Sequence, residues 1–189
     1  GRPVIGLTFD GPYGVYHSVY DTHDFVSRIA DPDFRYHAAL VQVWGLAALR
    51  LANADALPID PEATATRIVE YVGRASGRVA GFDRPPGLGE LEAAASNLKN
   101  VTSAFNRTRA FALDTSDAAM LKALNGQVRR FERAFVDPEG LPGRSWYRHL
   151  VYAPGFAYEP QEVPGLNGAI DSRDARRITQ QAGRLTAAL

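Results

Sequence analysis

No cysteine occurs in the 189-residue chain, which excludes disulfides, thiol nucleophiles and thiolate metal sites. Nor is there an excess charge of either sign. Lysine and arginine total 21 and so do aspartate and glutamate, so no global field draws in nucleic acid or an anionic membrane surface. Apolar runs stay far short of a bilayer span, and the N-terminus lacks the basic start and long apolar core of a signal peptide. What is present is ordinary for a globular domain: 46% apolar and 22% charged residues. At this length folding buries roughly 70% of the unfolded chain's surface, enough for a real core.

The chain opens abruptly, with Gly1-Arg2-Pro3 running straight into strand-like Val4 to Phe9. A strand without a neighbour in its own chain leaves its ladder groups unpaired, so the start reads as a cut end. The turn-rich stretch that follows, DGPYGVYHSVYDTHD from Asp10 to Asp24, sets His17 between tyrosines. His17, Asp21, His23 and Asp24 form an H-x3-D-x-H-D cluster that resembles a ligand set. A zinc centre takes three or four ligands, and the glycines and Pro12 leave the local geometry open. From chemistry alone, partly exposed polar residues beside a loop are the simpler reading.

Beyond the loop the periodicity is helical. Phe25, Val26 and Ile29 mark a short helix, and Asp31-Pro32 supplies a cap and a first-turn proline for a second. That helix carries Leu40, Val43, Trp44, Ala47 and Leu51 up to about Asn53. Asp60-Pro61 repeats the start signal for a stripe of Ala65, Ile68, Val69, Val72 and Val79. Leu91 to Ala112 and Leu121 to Phe135 continue at three- and four-residue steps, and Ile178, Ala182, Leu185 and Leu189 form the last stripe, capped by Asp171 or Ser172. Four helices from residue 60 onward predict an up-and-down bundle, interrupted by a Pro- and Gly-rich excursion over 136–170. So long a loop in a compact domain is usually functional. It holds Arg144, Trp146, Tyr147, Arg148, His149, Tyr152 and Tyr158, a set able to offer guanidinium and phenol donors to a carboxylate. The alternative is that the aromatics pack on the bundle while Arg144 and Arg148 are solvated or pair with Glu132 and Asp137.

Two stretches go further than composition. YGVYHSVYDTHDF (13–25) and FERAFVDPEGLPGRSWYRHLVYAP (131–154) closely resemble segments of glutamate carboxypeptidase II and its relatives, zinc peptidases that share a dimerisation domain with the transferrin receptor. A D-P-x-F-x-Y-H helix start, an L-P-x-D connector and VPG before the final helix agree in order and spacing, so the resemblance covers nearly the whole chain. It implies that residues 1–57 are the strand-loop-helix tail of an α/β zinc peptidase domain. Residues 58–189 would be a transferrin receptor-like helical dimerisation domain, a four-helix bundle that forms a homodimer.

By the same resemblance His17 is a ligand of one of two zinc ions and Tyr16 holds the substrate or the oxyanion. His23, Asp21 and Asp24 drop from the ligand list, and the other ligands and the general-base glutamate lie upstream in such enzymes. Tyr158 matches a tyrosine of the family's lid over the substrate pocket, whereas Ala157 stands where a lysine is expected, which argues against a preference for glutamate. The intact parent is then expected to be a di-zinc metallo-carboxypeptidase acting on peptides, most naturally outside the cytoplasm. The chain alone is expected to hold no zinc stably and to be inactive. A non-enzymatic transferrin receptor-like association module is the alternative.

Overall fold

The computed structural model describes residues 5–11, 14–155 and 159–189, which divide into two compact units. The first ends at Ala54 and the second runs Asp55–Leu189. Residues 5–9 pair with no other strand among the described residues.

In the first unit Thr22 caps a single turn, α1 (His23–Phe25), by accepting from the Phe25 N–H. The chain continues as a π-helical turn, Val26–Ala30. Helix α2 spans Arg35–Ala52 and starts later than Asp31-Pro32 predicts. Phe34, in the left-handed region at φ 53°, resets the chain direction, and Asp31 reaches forward to accept from the N–H groups of Tyr36 and His37. The carboxylate therefore satisfies first-turn donors as a cap would, but from outside the adjacent position. No residue of α2 is buried.

The second unit is a helical bundle. Asp60 caps α3 (Pro61–Ala80) at the predicted place, accepting from Glu62 and Ala63, with Pro61 in the first turn where its missing N–H costs nothing. Helix α4 (Gly89–Asp114) packs along α3, and α5 (Ala118–Ala134) follows a turn capped by Asp117. The predicted stripes point inward: Ala65, Ile68, Val72, Val79, Leu91, Ala95, Phe135, Ile178, Ala182 and Leu185 are all buried. Burying a ring as completely as that of Phe135, 1% exposed, contributes about 3 kcal/mol.

The excursion is more ordered than its composition suggests. Strands β1 (Tyr152–Pro154) and β2 (Pro160–Glu162) pair antiparallel, Tyr152 opposite Glu162. Helix α6 (Pro164–Asp171) then packs on α7 (Ala175–Ala188), so among the described residues five helices, not four, follow residue 60. Two signals hid α6. Pro164 sits at its first turn rather than breaking it, and Gly165 lies where a Cβ would stand 2.4 Å from the buried Gln181 side chain. The last helix is accordingly capped by Asp174, not by Asp171 or Ser172. Leu141, Leu150, Val151, Ala153 and Val163 of the excursion join the core. Among the described residues no helix is long and apolar enough to cross a membrane.

Candidate functional site

The YHS loop is built from tight turns. The N–H of Ser18 donates to the Val15 carbonyl at 2.9 Å, that of Asp21 to the Ser18 carbonyl at 3.1 Å, and that of Tyr20 to the Ser18 hydroxyl at 3.1 Å. His17 adopts φ 62°, a left-handed conformation that costs a non-glycine residue about 1–2 kcal/mol. Its ring stacks on Tyr16 with centroids 3.9 Å apart, and Tyr16 is 64% exposed. An exposed imidazole held in a costly backbone conformation motivates a functional reading of this loop.

The neighbouring ligand candidates are engaged elsewhere. His23 faces the Phe34 ring, and Asp24 pairs with Arg28 at 3.6 Å. Asp21 lines a cavity of about 580 Å³ in the same unit with Phe9, Asp10, Tyr36 and His37, to which neither Tyr16 nor His17 contributes. Among the described residues no three His, Asp or Glu side chains are placed to hold a metal ion. His17 offers one imidazole nitrogen, too few for a zinc centre, so the described residues do not by themselves fit the metal that the resemblance implies.

A pair that periodicity missed lies beside that cavity. The Asp31 carboxylate, 5% exposed, meets His37 Nδ1 at 2.6 Å. Burial works against its ionisation. The His37 ring and the N–H groups of His37, Tyr36 and Arg35 outweigh that and hold its carboxyl below the ordinary range. The D-P-x-F-x-Y-H run carries both residues, but a six-residue spacing across a turn is no helical signal.

In the second unit the excursion is gripped on several sides. Arg144, expected as a free donor for substrate, spends its guanidinium on the Pro154 carbonyl at 3.1 Å and the Gln161 side chain at 2.6 Å, clasping both strands of the hairpin. Arg74 pairs with Glu162 and lies over the Tyr71 ring. The phenols of Tyr71 and Tyr152 meet at 2.9 Å, and burial, then that hydrogen bond, pushes the Tyr152 phenol well above its ordinary range. Glu132 pairs with His149 and Asp137 with Arg184, not with Arg144 or Arg148. Tyr147 and Tyr152 pack on the core as the alternative reading of the excursion has it, while Trp146 is 77% exposed. Tyr158 and Ala157 lie outside the described residues; next to them the Gly155 N–H donates to the Glu159 carbonyl at 2.8 Å.

The family model for the transferrin receptor-like dimerisation domain matches residues 87–189. A probable glutamate carboxypeptidase of Zea mays is 33% identical over 187 residues, covering 93% of this chain and 25% of that protein. An aminopeptidase of Rattus norvegicus is 28% identical, covering 83% of this chain and 21% of that protein. An inactive zinc metalloprotease of Schizosaccharomyces pombe is 24% identical across 100% of this chain and 26% of its own length. The chain thus spans about a quarter of the length of these curated relatives.

Proposed function

From the premise that the chain belongs to the transferrin receptor-like dimerisation domain family, we propose that it is the dimerisation and pocket-lid portion of a glutamate carboxypeptidase-like zinc metallopeptidase. The whole enzyme would remove C-terminal residues from peptides, as a homodimer assembled through the bundle. Residues 1–57 would be the tail of its peptidase domain and 58–189 the dimerisation domain.

The observation that carries this reading is α2. An 18-residue helix with Val41, Val43, Leu46 and Leu49 all more than half exposed and no residue buried belongs to a core larger than its own unit. Within that larger domain His17 would supply one imidazole to a two-zinc centre whose remaining ligands lie in other segments. Tyr16, exposed beside it, would donate its phenolic proton to the developing oxyanion. Tyr158, on the connection between β1 and β2, would meet the substrate, and Ala157 beside it brings no charge to a terminal glutamate.

The test compares the 189-residue chain with the longer protein. The chain alone is expected to show no chelator-sensitive peptide hydrolysis, and to sediment as a dimer at micromolar concentration. In the longer protein His17→Ala is expected to lower kcat/KM by about a hundredfold or more, in the range for removing one catalytic group, with the dimer intact. Chelator-sensitive turnover by the chain alone, full activity of H17A, or a strict monomer would each count against the reading. The relative named as inactive supports the second reading, an association module without catalysis. That reading predicts the same dimer and no hydrolysis by the longer protein.

A further inference from the structure

Among the side chains that grip the β1–β2 hairpin, His149 has a hydrogen-bonding sense fixed at both ring nitrogens. His149 Nδ1 lies 3.1 Å from the Tyr152 backbone nitrogen, and Nε2 lies 3.3 Å from the Glu132 carboxylate. A backbone N–H can only donate and a carboxylate only accept, so the ring must carry its proton on Nε2 and present a bare lone pair at Nδ1. Its side chain is only 16% exposed, with the Phe135 ring at 5.9 Å and the Tyr152 ring stacked at 6.2 Å. Water therefore has little room to replace the Tyr152 contact.

We propose that His149 is a positioning residue for the hairpin. Its neutral imidazole holds the Tyr152 N–H, and a second proton at Nδ1 releases that grip on strand β1. The proposal rests on the lid reading above for its consequence, since β1 precedes in sequence the Tyr158 assigned to substrate; the grip itself does not depend on that reading.

The charged and titratable groups around the ring act as follows. Glu132 from α5 is its direct partner, and Tyr152 from β1 lies against it, tied through the phenols to Tyr71 of α3. Arg74 of α3 and Glu162 of β2 pair with each other one step further out. None of these can take over the Tyr152 N–H in place. When Nδ1 is protonated, two donors confront each other across 3.1 Å, and either the ring turns or the strand moves.

The test is nuclear magnetic resonance on the full 189-residue chain. At about pH 8 the ring nitrogens of His149 are expected to report the Nε2–H tautomer. As the ring takes up its second proton on acidification, protection of the Tyr152 amide, corrected for intrinsic exchange, is expected to fall about tenfold, the weight of one hydrogen bond. The amides of Ile68 and Val72, deep in α3, should hold their protection and serve as the internal control. His149→Asn keeps an acceptor in place without a titrating group, so it should abolish the pH dependence. Glu132→Gln can turn its amide to donate to Nε2, so it should raise the Nδ1–H tautomer and lower Tyr152 protection already at pH 8. An Nδ1–H tautomer in the unaltered chain, pH-independent Tyr152 protection, or an unchanged pH dependence in H149N would each overturn the proposal, and the first two need no variant to fold. Loss of the lid reading would appear only in the peptide selectivity of the longer protein and would leave these readouts untouched.

Discussion

Asp60 joins local and distant structure in one side chain. It accepts from Glu62 and Ala63 at the start of α3, and the Asn106 amide reaches it from α4 at 2.7 Å. The Asn106 hydrogen bond is the main cause that holds its carboxyl below the ordinary range, against an opposing contribution from burial. Because the folded value lies below the unfolded one, this stabilisation is present above about pH 4 and is lost as pH falls through the folded value. Asp60→Ala should therefore cost about 1–2 kcal/mol at neutral pH. In urea titrations the gap to the unaltered protein should close on acidification, and a gap of equal size at pH 7 and at about pH 3 would sink the assignment. Asp60→Asn keeps a capping oxygen and should lose less. Asp31-Pro32 has the same dipeptide and a different outcome, since the left-handed Phe34 inserts a turn before α2. A dipeptide states that a helix is near; where it starts is decided by the backbone between.

At the scale of elements, the excursion owes its shape to a few backbone positions. Gly140 at φ 70° and Gly143 at φ 74° both sit in the left-handed region, but only Gly140 is crowded: a Cβ there would stand 2.1 Å from the Ser145 carbonyl oxygen. Gly143 meets nothing within 4 Å. Gly143→Ala should then cost only the conformational strain, about 1–2 kcal/mol. Gly140→Ala must also move the Ser145 backbone and disturb the Arg184 contact to the Gly140 carbonyl at 2.7 Å, so it should cost at least about twice as much. Equal midpoints for the two variants in chemical denaturation would contradict this. The bundle helices were legible because their apolar spacing is their cause of burial, and the cap at Asp60 fell where side-chain chemistry put it. The hairpin and α6 were not legible, because they depend on tertiary contacts such as Arg144 to Gln161 and Gly165 against Gln181. Likewise the Tyr16-His17 pair could be read as a motif. Glu132, His149 and Tyr71 are brought together only by folding, with no spacing that announces them.

For the whole molecule, the two units differ in how their apolar residues are covered. The bundle from Asp55 encloses a continuous core in which Ile68, Val151, Ala169 and Ile178 are fully buried. The first unit buries Asp31 but no residue of α2, and leaves Val41 69% exposed. Local stability follows buried apolar contact, so the units should open at different free energies. In hydrogen exchange on the full chain, amides of α2 are expected to exchange at least about a hundredfold faster than those of α3, and limited proteolysis should cut before Ala54 first, leaving the bundle intact. Thermal unfolding should accordingly show two transitions. If the first unit completes a larger peptidase core, as proposed, then in the longer protein the protection of α2 should rise toward that of α3 while the bundle amides barely change, because only α2 gains a covered face. A single cooperative transition in the 189-residue chain, with α2 protected as well as α3, would mean that the exposed residues need no further core, and the peptidase-tail reading of the first unit would fall with it.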